Sequence, residues 1–370
     1  MAPSRPRLLH RALIFIVIVW LTPPAAFAQD AVLPRVRLVA TGGTISNRTG
    51  SRLTAEELIK SMPGIEKYVR PEFEQFTNQA SSELTLDQWL GLARRLNELL
   101  ASDTEMAGLV VTSGTDTLEE LAYFLNLTVK SDKPVVVVGS MRNPSTLGYE
   151  GAANLLEAFR VAAAPDAHGK GVLVVLNDEI NAAREVTKTD ALRLNTFQSR
   201  GVGALGVVDA DRVVFYRTSL KRHTARSEFD VSSIGRLPRV DVIMVYQGAD
   251  GDLIKAAADA GAKGIVIASA GAGATSGTQQ AGIAAALKNG VLVVTTTRTG
   301  SGRIAPPRRG PGAPTPGEGG TNAFSSLTPE ERQRRIAGED LAPVKARVLL
   351  MLALTRTQDP QEVQRMFQEY

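Results

Sequence analysis

The chain has 370 residues, of which 44% are hydrophobic and 22% charged. That balance is ordinary for a globular protein, leaves room for two domains, and excludes a fibrous or disordered chain. There is no cysteine, which excludes disulfides and thiol catalysis, and the formal charge is only +4.

Residues 1–28 read as a secretory signal peptide. Arg5, Arg7 and Arg11 form a basic start, ALIFIVIVWL (12–21) is an apolar stretch short for a bilayer span, and Ala26-Phe27-Ala28 is a small-x-small cleavage site. The competing reading, a retained anchor, has the wrong flanks. The expected mature chain starts near Gln29, is periplasmic or secreted, and carries no membrane segment. Removing the leader takes away three of the 42 basic residues and none of the 38 acidic ones. The remaining charge is nearly balanced, so no nucleic-acid partner is implied.

VRLVAT (36–41) is the first predicted strand, and it stops on Gly42 and Gly43 with Thr44 directly after. Glycine accepts backbone angles closed to other residues, so a hydroxyl is presented on a tight turn at a strand's end. Thr54–Glu57 and Thr85–Gln88 are capping boxes that open two helices, the second reaching about residue 101. GLVVTSG (108–114), PVVVVGS (134–140) and GVLVVLN (171–177) are apolar strands, and the helices predicted between them cover 116–129 and 150–164. Residues 178–238 are less regular, with short β-like pieces and charges, and are expected to be loops and a connector.

A second alternating set follows: strands at 240–247, 264–270 and 291–297, and helices at 251–261 and 276–289. Residues 303–320 are too rich in Pro and Gly for regular structure, and two helices, about 343–356 and 360–370, close the chain. Near-continuous Val/Leu strands between amphipathic helices indicate an α/β fold with largely parallel sheets. The expected organisation is signal peptide 1–28, a larger N-terminal α/β domain 29–225, a linker 226–239, and a smaller C-terminal α/β domain 240–370.

Ligands in such sheets collect beyond the carboxyl ends of the strands. Three loops there carry unusual polarity: ATGGTIS (40–46), TSGTDT (112–117) and REVTKTD (184–190). Taken singly, Thr44 reads better as a turn hydroxyl than as a functional group, and Asp116 better as a helix cap spaced from Glu119. Two such loops at one sheet edge point to a ligand. Lys188, flanked by Thr187 and Thr189, is one recognised way to activate a hydroxyl. Gly201–Gly206 matches the dinucleotide fingerprint by letter but precedes a β-like segment, so it is rejected. No metal-ligand spacing appears, and no metal or cofactor is expected.

ATGGTI (40–45), TSGTDTLEE (112–120), KPVVVVGSMR (133–142), REVTKT (184–189) and PVKARVLLMLAL (343–354) together resemble the bacterial L-asparaginase family. The resemblance covers nearly the whole mature chain. It implies a cofactor-free threonine amidohydrolase acting on L-asparagine, and on L-glutamine in some members. It also implies a homotetramer of two intimate dimers with each active site shared between subunits. On this resemblance Thr44 is the acyl-accepting threonine, and Thr115, Asp116 and Lys188 are its second threonine, aspartate and lysine. Ser81 holds the substrate's α-carboxylate, Ser82 lies beside it, Gly43 and Gly114 bring backbone amides to the substrate, and Ser276 stands near a position contributed by the neighbouring subunit. There are departures. The loop SNRTGSRLTAEE lacks the family's frequent tyrosine, and the frequent Ser-Gln pair is Ser81-Ser82. A distal glutamate has three candidates, Glu318, Glu330 and Glu331. A periplasmic amino-acid-binding protein without turnover, and a same-family amidase for another small amide, are the alternatives.

Overall fold

A computed structural model describes residues 32–306 and 323–370. The predicted leader, most of the Pro/Gly stretch and Glu318 lie outside the described residues.

In chain order the N-terminal part runs β1 (Arg35–Gly42), a small hairpin of β2 (Asn47–Arg48) and β3 (Ser51–Arg52), α1 (Ala55–Lys60), β4 (Arg70–Gln79), α2 (Leu86–Ser102), β5 (Met106–Thr112) and α3 (Leu118–Thr128). It continues with β6 (Val135–Val138), α4 (Gly151–Ala163), β7 (Val172–Leu176), β8 (Glu179–Ala182), the short pair β9 (Thr187–Lys188) and β10 (Phe197–Gln198), then β11 (Gly206–Val208) and β12 (Val213–Phe215). The C-terminal part comprises β13 (Val240–Met244), α5 (Asp252–Asp259), β14 (Gly264–Ser269), α6 (Gln279–Lys288), β15 (Leu292–Thr297), α7 (Pro329–Gln333), β16 (Arg335–Ala337), α8 (Pro343–Leu354) and α9 (Pro360–Glu369).

The result is two α/β domains. Eight strands form the larger sheet in the order β12-β11-β8-β7-β6-β5-β1-β4. The five strands from β7 to β4 are parallel, and β8, β11 and β12 add an antiparallel extension. The smaller sheet, β13-β14-β15-β16, is parallel throughout.

The period-two alternation of side chains divides each central strand between two cores. Val39, Leu109, Val111, Val135, Val137, Val172 and Val174 face α2 and α3. Leu38, Ala40, Val110, Val136, Val138, Leu173 and Val175 face α1 and α4. The first core continues into the C-terminal part through α8, where every residue from Val348 to Ala353 is buried. A helix apolar on all sides needs cover on all sides, and α8 has it between α3 and the small sheet.

Both predicted capping boxes are formed. The small sheet gains β16, and α7 precedes it, in a stretch where no element was expected; two further differences lie in the larger sheet. β4 was not anticipated, because RPEFEQFTNQ alternates apolar residues with charge. It is the sheet's edge strand, and its carboxylates are neutralised laterally: Glu72 pairs with Arg35 and Arg37 at 2.7 and 2.6 Å, and Glu74 with Arg95 at 2.8 Å. Residues 178–215 are not merely connector. Asn177 and Asp178 take φ of 55° and 66°, the conformation of a two-residue type I′ turn, which folds β8 back along β7. Asn-Asp is a weaker hairpin signal than Asn-Gly, so the sheet's extension was hidden. Gly206 enters β11, a strand, in accord with rejection of the dinucleotide motif.

A half-buried ion pair ties the two parts together. Arg184 is 7% exposed, and its guanidinium makes paired bonds of 2.9 and 2.7 Å to Asp340, just before α8. Those bonds hold the Asp340 carboxyl down at about 2, from an ordinary 3.8. The stabilisation is therefore complete above 3.8 and is lost as the pH falls through about 2. Half of the Asp340 side chain is exposed, so solvent screening limits the effect to about 1 kcal/mol. Urea unfolding followed through this acid range should show Asp340→Asn losing less stability than the parent chain by that amount.

Candidate active site

The order β4-β1-β5-β6-β7 contains one switch point. The chain leaves β1 towards β4 on one side, then crosses to β5 on the other, so the loops after β1 and β5 diverge and open a crevice. The loops that follow β1, β4 and β5 meet there. Thr41 and Thr112 suture the two central strands just below: the Thr41 amide donates to Thr112 Oγ1 at 3.0 Å, and the Thr41 hydroxyl donates to the Thr112 carbonyl at 2.6 Å.

Close approach of the three loops depends on glycine. Gly43 has φ of 91°, and a Cβ there would stand 2.2 Å from the Gly114 nitrogen. A Cβ on Gly114 would stand 2.7 Å from Ser81 Oγ. Only hydrogen fits at either position. The turn is held from outside. The Gly43 amide donates to the Gln79 carbonyl at 2.9 Å, and the Tyr149 hydroxyl donates to the Ile45 carbonyl at 2.8 Å.

Thr44, on this turn, is half-buried, and its hydroxyl has no hydrogen bond among the described residues. It does not fold back on its own backbone as a turn hydroxyl would. Across the crevice Thr115 is buried and Asp116 exposed. Lys188, on β9, places Nζ 3.0 Å from Thr115 Oγ1 and 2.8 Å from Asp116 Oδ1. Three-quarters of the Asp116 side chain is open to solvent while Lys188 lies tucked beneath it. The lysine thus anchors a carboxylate that still presents negative charge outwards.

The capping role considered for Asp116 is not used. The cap position of α3 is Thr117, without a side-chain bond. Asp116 turns to Lys188, and Glu119 Oε1 accepts from the Thr187 hydroxyl at 2.9 Å and the Lys188 amide at 3.2 Å. The amides of Gly114, Thr115 and Asp116 donate to no acceptor among the described residues. They lie directly before α3, at the positive end of its dipole, and suit an anion. The crevice therefore offers a carboxylate for a cation, free amides for an anion, an unengaged hydroxyl and a lysine–threonine pair.

The remaining expected residues divide. Ser81 is buried against Gly114 at this crevice. Ser82 is exposed and makes no hydrogen bond among the described residues. Ser276 lies on the loop after β14, where its hydroxyl accepts from the Gly248 amide at 3.2 Å and its amide donates to Gln279 Oε1 at 3.0 Å. Among the described residues it bonds to none of Thr44, Thr115, Asp116 or Lys188. Of the distal glutamate candidates, Glu331 is occupied in the capping box of α7, and Glu330 lies in the same first turn.

Three participants around the crevice were not anticipated: Glu119, Tyr149 and Lys345. The first reads as a helix-start acid and the second as loop aromatic. Only the apolar run around Lys345 carried a signal: PVKARVLLMLAL holds two cations, and a helix so apolar leaves little surface for both, yet the sequence does not say that Lys345 rather than Arg347 is the buried one. Among the described residues no three His, Cys, Asp or Glu side chains converge as a metal would need.

Residues 35–221 match the family described as asparaginase, N-terminal, and residues 239–367 match the glutaminase/asparaginase C-terminal domain. L-asparaginase 2 of Bacillus subtilis is 44% identical over 94% of this chain and 89% of its own length. Glutaminase-asparaginase of Pseudomonas fluorescens is 37% identical over 95% of each. The crystal structure of a probable cytoplasmic L-asparaginase from Campylobacter jejuni superposes with a TM-score of 0.81 at 38% identity, covering 91% of this chain and all of that one.

Proposed function

The chain belongs to the glutaminase/asparaginase family of amidohydrolases, and from that premise we propose that it hydrolyses L-asparagine to L-aspartate and ammonia, with L-glutamine as a second substrate. The observation that carries this reading is the Thr115–Asp116–Lys188 constellation facing the Thr44 turn across the switch-point crevice.

The substrate is a zwitterion with a carboxamide tail. Asp116, with its carboxylate exposed, receives its ammonium. The free amides of Gly114 to Asp116, with Ser81, receive its α-carboxylate. Fixing both ends holds the carboxamide carbon at the remaining hydroxyl, which supplies the orientation part of the rate enhancement. Thr44 Oγ attacks that carbon, and its proton passes through the Thr115 hydroxyl to Lys188 Nζ, which takes part in this step as the free amine. Backbone N–H groups on the glycine-bounded turns take up charge on the oxyanion. The C–N bond breaks, and ammonia leaves with a proton from the relay. Water then attacks the acyl-threonine, giving up a proton to the same relay, and aspartate is released with the Thr44 hydroxyl restored.

The same reading takes the protein as a homotetramer with sites shared between subunits. Two features support it: the outward exposure of Asp116, and the exposed apolar side chains Val242 and Met244 on β13 and Tyr246 just after it. Export through the 1–28 leader is part of the proposal and rests on the leader's sequence pattern. Among the described residues no helix is long and apolar enough to cross a membrane.

The purified chain mixed with asparagine or glutamine should release ammonia stoichiometrically with aspartate or glutamate. Saturable binding of both amides with no ammonia would replace this reading with that of an amino-acid-binding protein. Release from neither, but from another small amide, would reassign the substrate.

A further inference from the structure

Lys188 and Thr115 stand 73 positions apart in sequence, and the short strand that carries Lys188 needs support from behind. Glu119, in the first turn of α3, gives one carboxylate oxygen to the Thr187 hydroxyl and the Lys188 amide. Its other oxygen is buried and has no hydrogen bond among the described residues. The cation facing that oxygen is Lys345 Nζ, at 3.9 Å. Lys345 belongs to α8, in the C-terminal part, and is 1% exposed. Its ammonium donates to the carbonyl of Arg184 at 3.1 Å and to that of Val186. Those carbonyls lie four and two residues before Lys188. An apolar residue would fill this buried place without the desolvation cost of an ammonium. What the ammonium adds is geometry.

We propose that Lys345 is a positioning residue of the active site: by binding the 184–186 carbonyls and countering Glu119, it holds Lys188 within reach of Thr115 and Asp116. The C-terminal part thereby sets the alignment of a relay built from N-terminal residues. This rests on the hydrolase reading above. Burial pushes the Lys345 ammonium down to about 8, against the attraction of Glu119, Glu120 and Glu185 and with the repulsion of Arg184. Arg347, on the same helix, pairs with Glu120 at 3.6 Å. Above that pH Lys345 is neutral: it keeps its carbonyl bonds but no longer balances Glu119.

The test compares the full chain with Lys345→Met by steady-state ammonia release from asparagine across neutral to alkaline pH, together with a crystal structure of the variant. At pH 7 the variant's kcat should fall on the order of 10- to 100-fold with KM within about twofold, the scale of a small misplacement of reacting groups. The deficit should narrow as the pH rises through about 8, since the parent chain loses the same charge there. A substrate titration acts equally on both proteins and cancels in the ratio. The structure should show Lys188 Nζ out of hydrogen-bond range of Thr115. A folded Lys345→Met with unchanged kcat, or with the Lys188–Thr115 bond intact, overturns the proposal. If that variant does not fold, Glu119→Gln takes its place: it keeps an acceptor for Thr187 and Lys188 but removes the charge. It should lose the alkaline step, and persistence of the step overturns the proposal. If the parent chain releases no ammonia, the hydrolase reading fails instead, and the crystal structure still decides where Lys188 sits.

Discussion

Replacing Lys188 with methionine is expected to lower kcat for asparagine by at least about 10³-fold, the upper range of what a positioned proton carrier contributes. Lys188 Nζ is the group that touches both the Thr115 hydroxyl and the Asp116 carboxylate, so no other side chain in the crevice inherits its place. Methionine matches the length of the aliphatic stem and removes only the amine. Asp116 is largely solvated, so losing its partner leaves no buried charge, and the change in stability should stay within about 1 kcal/mol. Equilibrium unfolding and kcat measured on the same preparation separate the two effects. A folded Lys188→Met with near-normal turnover would remove the lysine from the mechanism and leave the relay to another group.

The second large effect is expected at Thr44. Thr44→Ala should also reduce kcat by about 10³-fold or more, as loss of a covalent nucleophile does. The hydroxyl has no hydrogen bond among the described residues, and the turn is held instead by Gly43–Gln79 and Tyr149–Ile45. The alanine variant should therefore fold and unfold as the parent does. Rapid quenching of the parent chain with asparagine, followed by mass analysis of the peptide containing residues 38–47, should find an acyl adduct absent from Thr44→Ala. An adduct on the peptide containing Thr115 would transfer the nucleophile's role to the hydroxyl that Lys188 already touches. The position of the adduct therefore decides which threonine attacks, whereas the two kcat losses by themselves show only that each residue is needed.

The reading of the sequence succeeded where one residue type has one physical use. Apolar Val runs such as 135–138 had to be buried strands. Thr54–Glu57 and Thr85–Gln88 had to start helices. Gly42-Gly43 before Thr44 had to be a turn that other residues cannot make. It failed at β4, whose Glu72 and Glu74 look solvent-bound until Arg35, Arg37 and Arg95 are brought beside them. It failed again at the β7–β8 hairpin, because Asn177 and Asp178 reach positive φ without the glycine that usually announces such a turn.

The sequence by itself determined the α/β class, the two alternating strand and helix sets, and three loops whose hydroxyls, carboxylate and lysine have no use in a core. These are local properties: periodicity, capping and backbone freedom are written within a few neighbouring residues. Only the tertiary structure decided which polar groups meet. Strand order put the Thr44 and Asp116 loops on either side of one crevice, and it freed Asp116 from capping by supplying Lys188 as a partner. It also sent Lys345 from the far end of the chain to the back of the site. Such meetings depend on how sheets stack and strands cross, and a charged side chain reads the same in sequence whether its partner is water or a residue more than a hundred positions away.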